Sequence, residues 1–474
     1  MGTERLGRGA QLGVMLVLSA ALAACTGAPD LAQPAVLRDA ASLGLPAAPG
    51  EGTQPDPQWW RQFGDTQLST LIDQALVGSP NLKVAQARIV RAKAAADIVA
   101  SARAPQLGAS VEAMEQKFTA TGMVPPPLAG SIYDSASVQL AASWEIDFFG
   151  KNRAALESAL GQTRAAEADA AAARNLLVSN VAQTYFELRR LEEQVTLAQR
   201  VQEQRVAILT MVRARVDAGI DTRAELLSSE AGLPEIRLQE QILNERRLIT
   251  EHALRAMIGQ PDRPLELSQY AGAAINNIAS IDLLSADLLA RRPDVTAARW
   301  RVEAAAGDLK VARSQFYPNI NLWAFAGLSS IGLDRLLDER SRQWGVGPAL
   351  HLPVFEGGRL RANLRAKSAD LDAAIESYNA TVIEAVHEVV DQLDARQAVA
   401  RQQTQQRAAQ VLAEHAYALA LQRYEAGLGH RLAVMQAEAA ALNQRRQGVD
   451  LNARALQVEV ALMRALGGGY RVAN

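Results

Sequence analysis

The chain of 474 residues contains one cysteine, Cys25, which rules out an internal disulfide and any paired-cysteine metal or redox site. Neither sign of charge prevails: 49 Lys and Arg stand against 51 Asp and Glu. That balance leaves no basic footprint for nucleic acid, and the bases, spread along helical stretches, read as a solvated face. Long apolar runs are scarce. The clearest, 12–24, follows Arg5 and Arg8 and falls short of the roughly 20 residues a membrane-spanning helix needs. Catalytic motifs are missing as well. No G-x-S-x-G occurs, and Gly467-Gly468-Gly469 lacks the lysine and following helix of a phosphate loop. His387-Glu388-Val389-Val390-Asp391 approximates a zinc-binding HExxH but ends in Asp, and no other histidine has ligand spacing to it. The sequence therefore points away from an enzyme, a metal site or a bound cofactor.

What the N-terminus does hold is more specific. The run 12–24 has the size of a signal-peptide core and closes on Leu22-Ala23-Ala24-Cys25. This looks like a bacterial lipoprotein box, in which the cysteine thiol accepts a diacylglycerol and becomes the new N-terminus. Residues 1–24 are then a signal peptide, Cys25 carries a covalent lipid, and 25–58 form an extended leader rich in Ala, Pro and Gly. Thr26 is not the aspartate associated with inner-membrane retention in Gram-negative bacteria. A lipid-anchored protein at the outer membrane, facing the periplasm, is expected.

The rest of the chain is written twice. Residues 79–105 reappear without a gap as 292–318, with Pro80 answering Pro293 and Pro105 answering Pro318. IDFFGKNR at 146–153 echoes LPVFEGGR at 352–359, and RVDAGI at 215–220 echoes RYEAGL at 423–428. A unit of about 200 residues is too long for a solenoid repeat, so each half should build the same substructure. Proline is absent from 129–233 and from 354 onward, where apolar residues recur at helical spacing. Helices over about 151–216 and 358–424 would each be on the order of 100 Å long. Antiparallel partners are expected over about 222–257 and 431–465, with a kink at Pro234, which is matched by Leu442 in the second half. A short helical region is expected at 59–77.

Between the repeated helices the period changes to two. Val138, Leu140, Ala142, Trp144, Ile146 and Phe148 alternate with polar residues, and Trp344, Val346, Leu350 and Leu352 repeat the rhythm. One hairpin per half is expected, with strands near 106–118, 136–148, 319–328 and 343–353. The segments 105–149 and 316–355 hold 11 of the 22 aromatic residues, an enrichment suited to outer-membrane β-structure with aromatic girdles. Four strands cannot close a barrel, and unpaired edges cannot be left in lipid. Other chains must complete the sheet, and a homotrimer gives an even number of twelve strands.

The segments LARRPDVTAARWRVEAAAGDLKVARSQFYPNINL, WEIDFFGKNRAALESA, LPVFEGGRLRANL and the stretch from RYEAGLGHRLAVMQAEA resemble the TolC-like outer-membrane factor family, in its NodT or OprM-like lipoprotein branch. The resemblance covers about 59–466. It implies a mainly α fold with membrane β-structure: four long helical elements and four strands per chain from an internal duplication. Three chains would form a twelve-stranded outer-membrane barrel continued by a periplasmic α-helical barrel. Repeat one is taken as 59–257, the linker as 258–291 and repeat two as 292–466, all within a channel region 59–474. The implied function is the passive outer-membrane duct of a tripartite efflux pump. A periplasmic adaptor, or membrane fusion protein, would join it to an inner-membrane transporter, expected to be proton-driven. A duct for type I protein secretion and a non-conducting periplasmic lipoprotein scaffold are the alternatives.

The resemblance also assigns residues. The reversals at Gly219, Ile220 and Asp221, and at Gly427 and Leu428, are the expected adaptor-docking tips. Leu432 matches an apolar constriction and Gln436 lies beside it as part of the gate. Relatives often carry acids at the positions of Ala433 and Gln436, and their absence implies weaker cation selectivity. Tyr424 matches a tyrosine that bonds an acid on the neighbouring hairpin, and Glu225 is expected to be that acid. Arg431 is the nearest base, since Gly429 stands where some relatives have arginine. Packing of Tyr424 at a helix end is the simpler alternative.

Overall fold

The computed structural model describes residues 35–38, 55–265, 267 and 292–471. The expected signal peptide, Cys25 and most of the expected linker 258–291 lie outside the described residues. A 3-10 turn, Trp59–Phe63, and α1, Thr66–Gly78, lead into two copies of one unit. The first copy is α2 (Pro80–Ser101), β1 (Gln106–Lys117), β2 (Ile132–Ile146), α3 (Lys151–Asp217) and α4 (Arg223–Met257). The second is α5 (Pro293–Ser314), β3 (Asn319–Ile331), β4 (Arg342–His351), α6 (Arg359–Glu425) and α7 (Arg431–Ala465). Both long helices have 67 residues and both returning helices 35, and α4 continues through Pro234 without a break.

The structure corrects the repeat register. The boundaries of α3 and α4 match those of α6 and α7 at a constant separation of 208 residues, from Lys151 and Arg359 to Met257 and Ala465. Gly150 and Gly358, both with positive φ, occupy the same junction. The IDFFGKNR and LPVFEGGR echo is therefore offset by two residues from the structural equivalence. Glycines at the strand-to-helix turn, where φ is constrained, are the better markers.

Contacts divide the chain into two units. The first, built from Arg88–Ala166 and Ala297–Tyr378 together with the described residues up to Leu37, contains an antiparallel sheet in the order β1-β2-β3-β4. Pairings such as Val111 with Val138, Leu140 with Ala326, and Ala324 with Val346 carry one face across all four strands. That face holds Leu107, Val111, Val138, Leu140, Leu322, Trp344, Val346 and Leu350, each exposed in the single chain. The other face presents Ser110, Glu112, Ser137, Gln139, Ser143, Asn321 and Gln343, together with Trp323 and Phe325. β2 starts earlier than expected, at Ile132, and stops at Ile146 because Asp147 turns to accept the backbone N–H groups of Asn152 and Arg153 at 3.1 and 2.8 Å. β4 likewise stops at His351, two residues before the expected end.

Beside the sheet, the start of α3 packs against α5 through small residues. A Cβ on Gly161 would lie 3.1 Å from Ala304 Cβ, and one on Gly307 would lie 3.0 Å from Ser158. Ser158 Oγ donates to Asp308 Oδ1 at 2.6 Å across the same contact. Leu309 and Ala312 of α5 then bury Leu364 of α6.

The second unit, Arg38–Ala87, Glu167–Thr296 and Asn379–Asn474, holds the antiparallel helix pairs. Leu191, Val195 and Ala198 of α3 enclose Leu243 of α4, and Val399 of α6 meets Ala455 and Val458 of α7. Asp450 ties the two pairs together by accepting from Arg190 Nη1 and Gln194 Nε2, each at 2.7 Å. Arg292, the second arginine of the RRPD segment, donates to the Ala465 carbonyl at 3.0 Å and pairs with Asp294 and Glu388. Trp59, Trp60 and Phe63 pack with Tyr185 and Phe186 of α3, and the Tyr185 hydroxyl donates to Asp65 at 2.6 Å. His387 pairs with Asp391 at 3.4 Å, and among the described residues no His, Cys, Asp and Glu cluster could hold a metal.

Gly307→Val is expected to destabilise the fold by about 1–3 kcal/mol, because the added methyls have no room against Ser158 and Ala154. Gly108→Ala, where a Cβ meets nothing within 4 Å, should be much milder. Thermal unfolding in detergent, followed by circular dichroism, checks both. Wild-type stability for Gly307→Val would refute the close approach of α3 and α5.

Candidate functional site at the helical tips

The chain reverses twice at the ends of the long helices, with the same geometry each time. Ile220 N donates to Arg215 O at 2.8 Å, and Leu428 N donates to Arg423 O at 2.8 Å. Gly219 and Gly427 sit in the left-handed region at φ of +72° and +75°, as this helix-ending motif requires. Ile220 and Leu428 are 64% and 73% exposed at the apices, so the tips present apolar side chains to solvent.

Where the repeats differ, polar chemistry appears. Asp221 and Tyr424 take the places of Gly429 and Val216 in the opposite repeat. Tyr424 is buried, and its hydroxyl donates to Asp221 Oδ2 at 2.5 Å. Arg215 grips the same carboxylate with both prongs, Nε to Oδ2 at 2.9 Å and Nη2 to Oδ1 at 3.0 Å. Its guanidinium also lies 4.5 Å from the centre of the Tyr424 ring. The two hairpins are thus joined by a three-residue, charge-assisted network. Arg215, and then Tyr424, hold the Asp221 carboxyl below its usual range. Burial first, and the bond to Asp221 second, push the Tyr424 phenol up to about 12, so it remains a donor at neutral pH.

This arrangement corrects the expected partner. Glu225 does not meet Tyr424. It is the third residue of α4 and turns back to form a capping box, its Oε2 accepting from Thr222 N at 2.7 Å while Thr222 Oγ1 accepts from Glu225 N. The signal for the correct acid lay in the reversal motif itself, where RVDAGID and RYEAGLG diverge at Asp221 and Gly429.

The remaining tip residues separate into exposed and buried sets. Leu432 is 64% exposed, and Ala433 and Gln436 are exposed one and four residues further along. Arg431 and Glu438 are buried on another face of α7, with Arg431 Nε reaching Ser229 Oγ of α4 at 3.5 Å. Burial pushes the Glu438 carboxyl up, opposed by the positive charges of Arg205 and Arg431. Arg431 therefore braces the two hairpins through Ser229 and acts on Tyr424 and Asp221 through its charge.

A family profile described as "Outer membrane efflux protein" matches residues 71–260 and 284–468. A multidrug resistance outer membrane protein, MdtQ of Escherichia coli O6:H1, is 34% identical over 437 residues, covering 90% of this chain and 91% of that protein. Among solved structures, the outer membrane protein VceC of Vibrio cholerae superposes with a TM-score of 0.80 at 33% identity, covering 88% of this chain and 100% of that one. The open state of the MtrE outer membrane channel of Neisseria gonorrhoeae gives a TM-score of 0.79 at 25% identity over 94% of this chain and 98% of that one. The chain belongs to the outer membrane efflux protein family.

Proposed function

We propose that this outer-membrane efflux channel works as a homotrimeric duct, lipidated at Cys25, that passes small molecules delivered by an inner-membrane transporter through a periplasmic adaptor docked on the tips. The observation that carries this reading is the two-faced sheet with two unpaired edges. Its apolar face suits hydrocarbon, its polar face suits a water-filled lumen, and β1 and β4 suit pairing with neighbouring copies. In this reading the energy comes from the inner-membrane transporter, expected to be proton-driven.

The internal repeat supplies the register of that closure. Within the chain, Ala141 of β2 pairs with Phe325 of β3. The repeat equivalents are Ala349 of β4 and Glu112 of β1, so Ala349 should face Glu112 of the next copy. In a Cys25→Ser background, Glu112→Cys with Ala349→Cys is expected to give covalent trimers on non-reducing gels. A conducting protein that yields no cross-link there would overturn this register.

Transport needs a closed resting state, and the tip network is suited to hold it. Leu432 supplies the apolar constriction, with Gln436 beside it, and Tyr424, Asp221 and Arg215 form the latch. A hydrogen bond to a charged group contributes about 1.5–3 kcal/mol, and three copies act together in a trimer. The open state named for the MtrE channel fits a duct that can also close. In planar bilayers, Tyr424→Phe with Leu432→Ala should raise single-channel conductance sharply, whereas Glu225→Gln should leave it at the wild-type value. If neither wild type nor the double variant conducts despite verified insertion, the scaffold reading moves ahead.

The pH dependence has a definite sign. Because the Asp221 carboxyl is depressed in the latched form, its contribution is complete above the ordinary carboxylate range and is lost as pH falls through the depressed value. Conductance should stay low from neutral pH through mildly acidic pH and rise only below the ordinary carboxylate range. Opening on mild acidification alone would show that another group controls the latch.

A further inference from the structure

Three arginines near the strand-to-helix junctions have no counter-charge among the described residues. Arg361 and Arg365 stand one turn apart on α6, and Arg153 of α3 occupies the repeat position of Arg361. All three are exposed, and their guanidinium groups have no partner among the described residues. Nearby acids are already engaged: Glu145 with Lys151 at 2.6 Å, Glu356 with Arg359 at 2.7 Å, Glu157 with Lys310 at 3.3 Å and Asp370 with Lys367 at 3.0 Å. Like charges four residues apart on a helix repel, so this pair favours an external anion.

The same junctions expose large apolar side chains. Val354 and Phe355 are 80% and 91% exposed, and Phe148 is 67% exposed. Phe149 stacks on Tyr317 at 4.8 Å, beside a cavity of about 230 Å³ that is also lined by Lys151, His351 and Arg359. Aromatic residues at the end of an apolar sheet face, followed by cationic side chains, match the order of acyl chain and headgroup in a leaflet.

The N-terminal segment gives an independent indication of where the leaflet lies. Ala35 N donates to Asp372 Oδ1 and Arg38 N to Asn379 Oδ1, each at 2.9 Å. Asp372 and Asn379 continue the stripe of α6 that carries Arg361 and Arg365, at steps of three and four residues. Followed backward from 38 to 35, the chain advances toward the start of α6, where β4 ends. Ten residues separate Ala35 from Cys25, a reach of up to about 35 Å, whereas Asp372 lies only about 16 Å along the helix from Arg361.

We infer that Arg153, Arg361 and Arg365, with the aromatic rim of Phe148, Phe149, Tyr317 and Phe355, form a collar that binds the phosphates of glycerophospholipids in the periplasm-facing leaflet. Guanidinium groups suit this task because their forked donors match phosphate oxygens. The inference rests on the proposed membrane insertion of the sheet and on lipidation at Cys25.

The test uses the full chain reconstituted in vesicles of phosphatidylethanolamine with phosphatidylglycerol, re-extracted in mild detergent and assayed for phospholipid phosphorus per chain. Arg153→Gln, Arg361→Gln and Arg365→Gln together should lower retained phospholipid by about twofold or more, because each base near an anionic surface contributes measurably. The three Arg→Lys changes should retain most of it, and Arg401→Gln, at an exposed arginine far along α6, should change nothing. Unchanged retention in a triple Gln variant that inserts and conducts overturns the collar. So does a shift of its reversal potential toward cations, which would place these arginines in the lumen. Repeating the series in Cys25→Ser separates the collar from the anchor: the loss should persist there. A wild type that neither inserts nor retains phospholipid would defeat both the collar and the membrane reading beneath it.

Discussion

Backbone hydrogen bonding in hydrocarbon is the constraint from which the rest of this protein follows. A sheet that turns an apolar face outward on all four strands is at home among acyl chains, but there no water can satisfy an open strand edge. Among the described residues, the four-stranded sheet leaves β1 and β4 each with a free side. In the proposed trimer, pairing those edges with further copies would remove the penalty and set the order of the attached helices by the same operation. Each strand is joined to one helix, so closing the sheet lines the helices up in the same order. The close contact between α3 and α5 through Gly161 and Gly307 shows how near two such neighbouring helices come where β2 pairs with β3.

Duplication provides the scaffold, and departures from it provide the chemistry. Equal helices of 67 and 35 residues and equal glycine-ended reversals come from the repeat. The proposed latch comes from positions at which the copies disagree. Tyr424 faces the hairpin that carries Asp221, while the matching places hold Val216 and Gly429. A symmetric pair would have offered two tyrosines or two acids, and neither alone makes this bond. Arg215 adds the charge that favours the ionised form of Asp221, so at neutral pH the hydroxyl meets a charged acceptor.

Much of the architecture was legible because long-range periodicity is insensitive to small errors. Proline-free windows gave helices whose ends fell within a residue or two, and strict alternation in β2 gave a two-faced sheet. Errors arose where one residue decides the outcome. The two-residue misregister at Gly150 and Gly358 came from matching side chains across a turn governed by backbone φ. Glu225 lies near the tip, but the helix start already engages it. An acid three residues after a threonine at a helix start is claimed by the helix end, because unsatisfied backbone N–H groups lie closer than any neighbouring hairpin. Cys25 stands apart, since its reading rests on sequence alone.

The tip also shows why counting acids along a segment misjudges the field in a pore. Ala433 and Gln436 carry no charge, yet Glu438 lies only two residues beyond Gln436. A turn of two residues carries a side chain to the far side of the helix, and Glu438 is 4% exposed beside Arg431 and Arg205. Burial raises the cost of ionising it, and the two arginines offset what charge it keeps. Its contribution is therefore local to the packing of α7 against α3, which carries Arg205. The exposed stripe of Leu432, Ala433 and Gln436 remains uncharged, so in this reading closure depends on apolar narrowing and on the bond between the hairpins, with no ring of fixed negative charge to select the ions that pass.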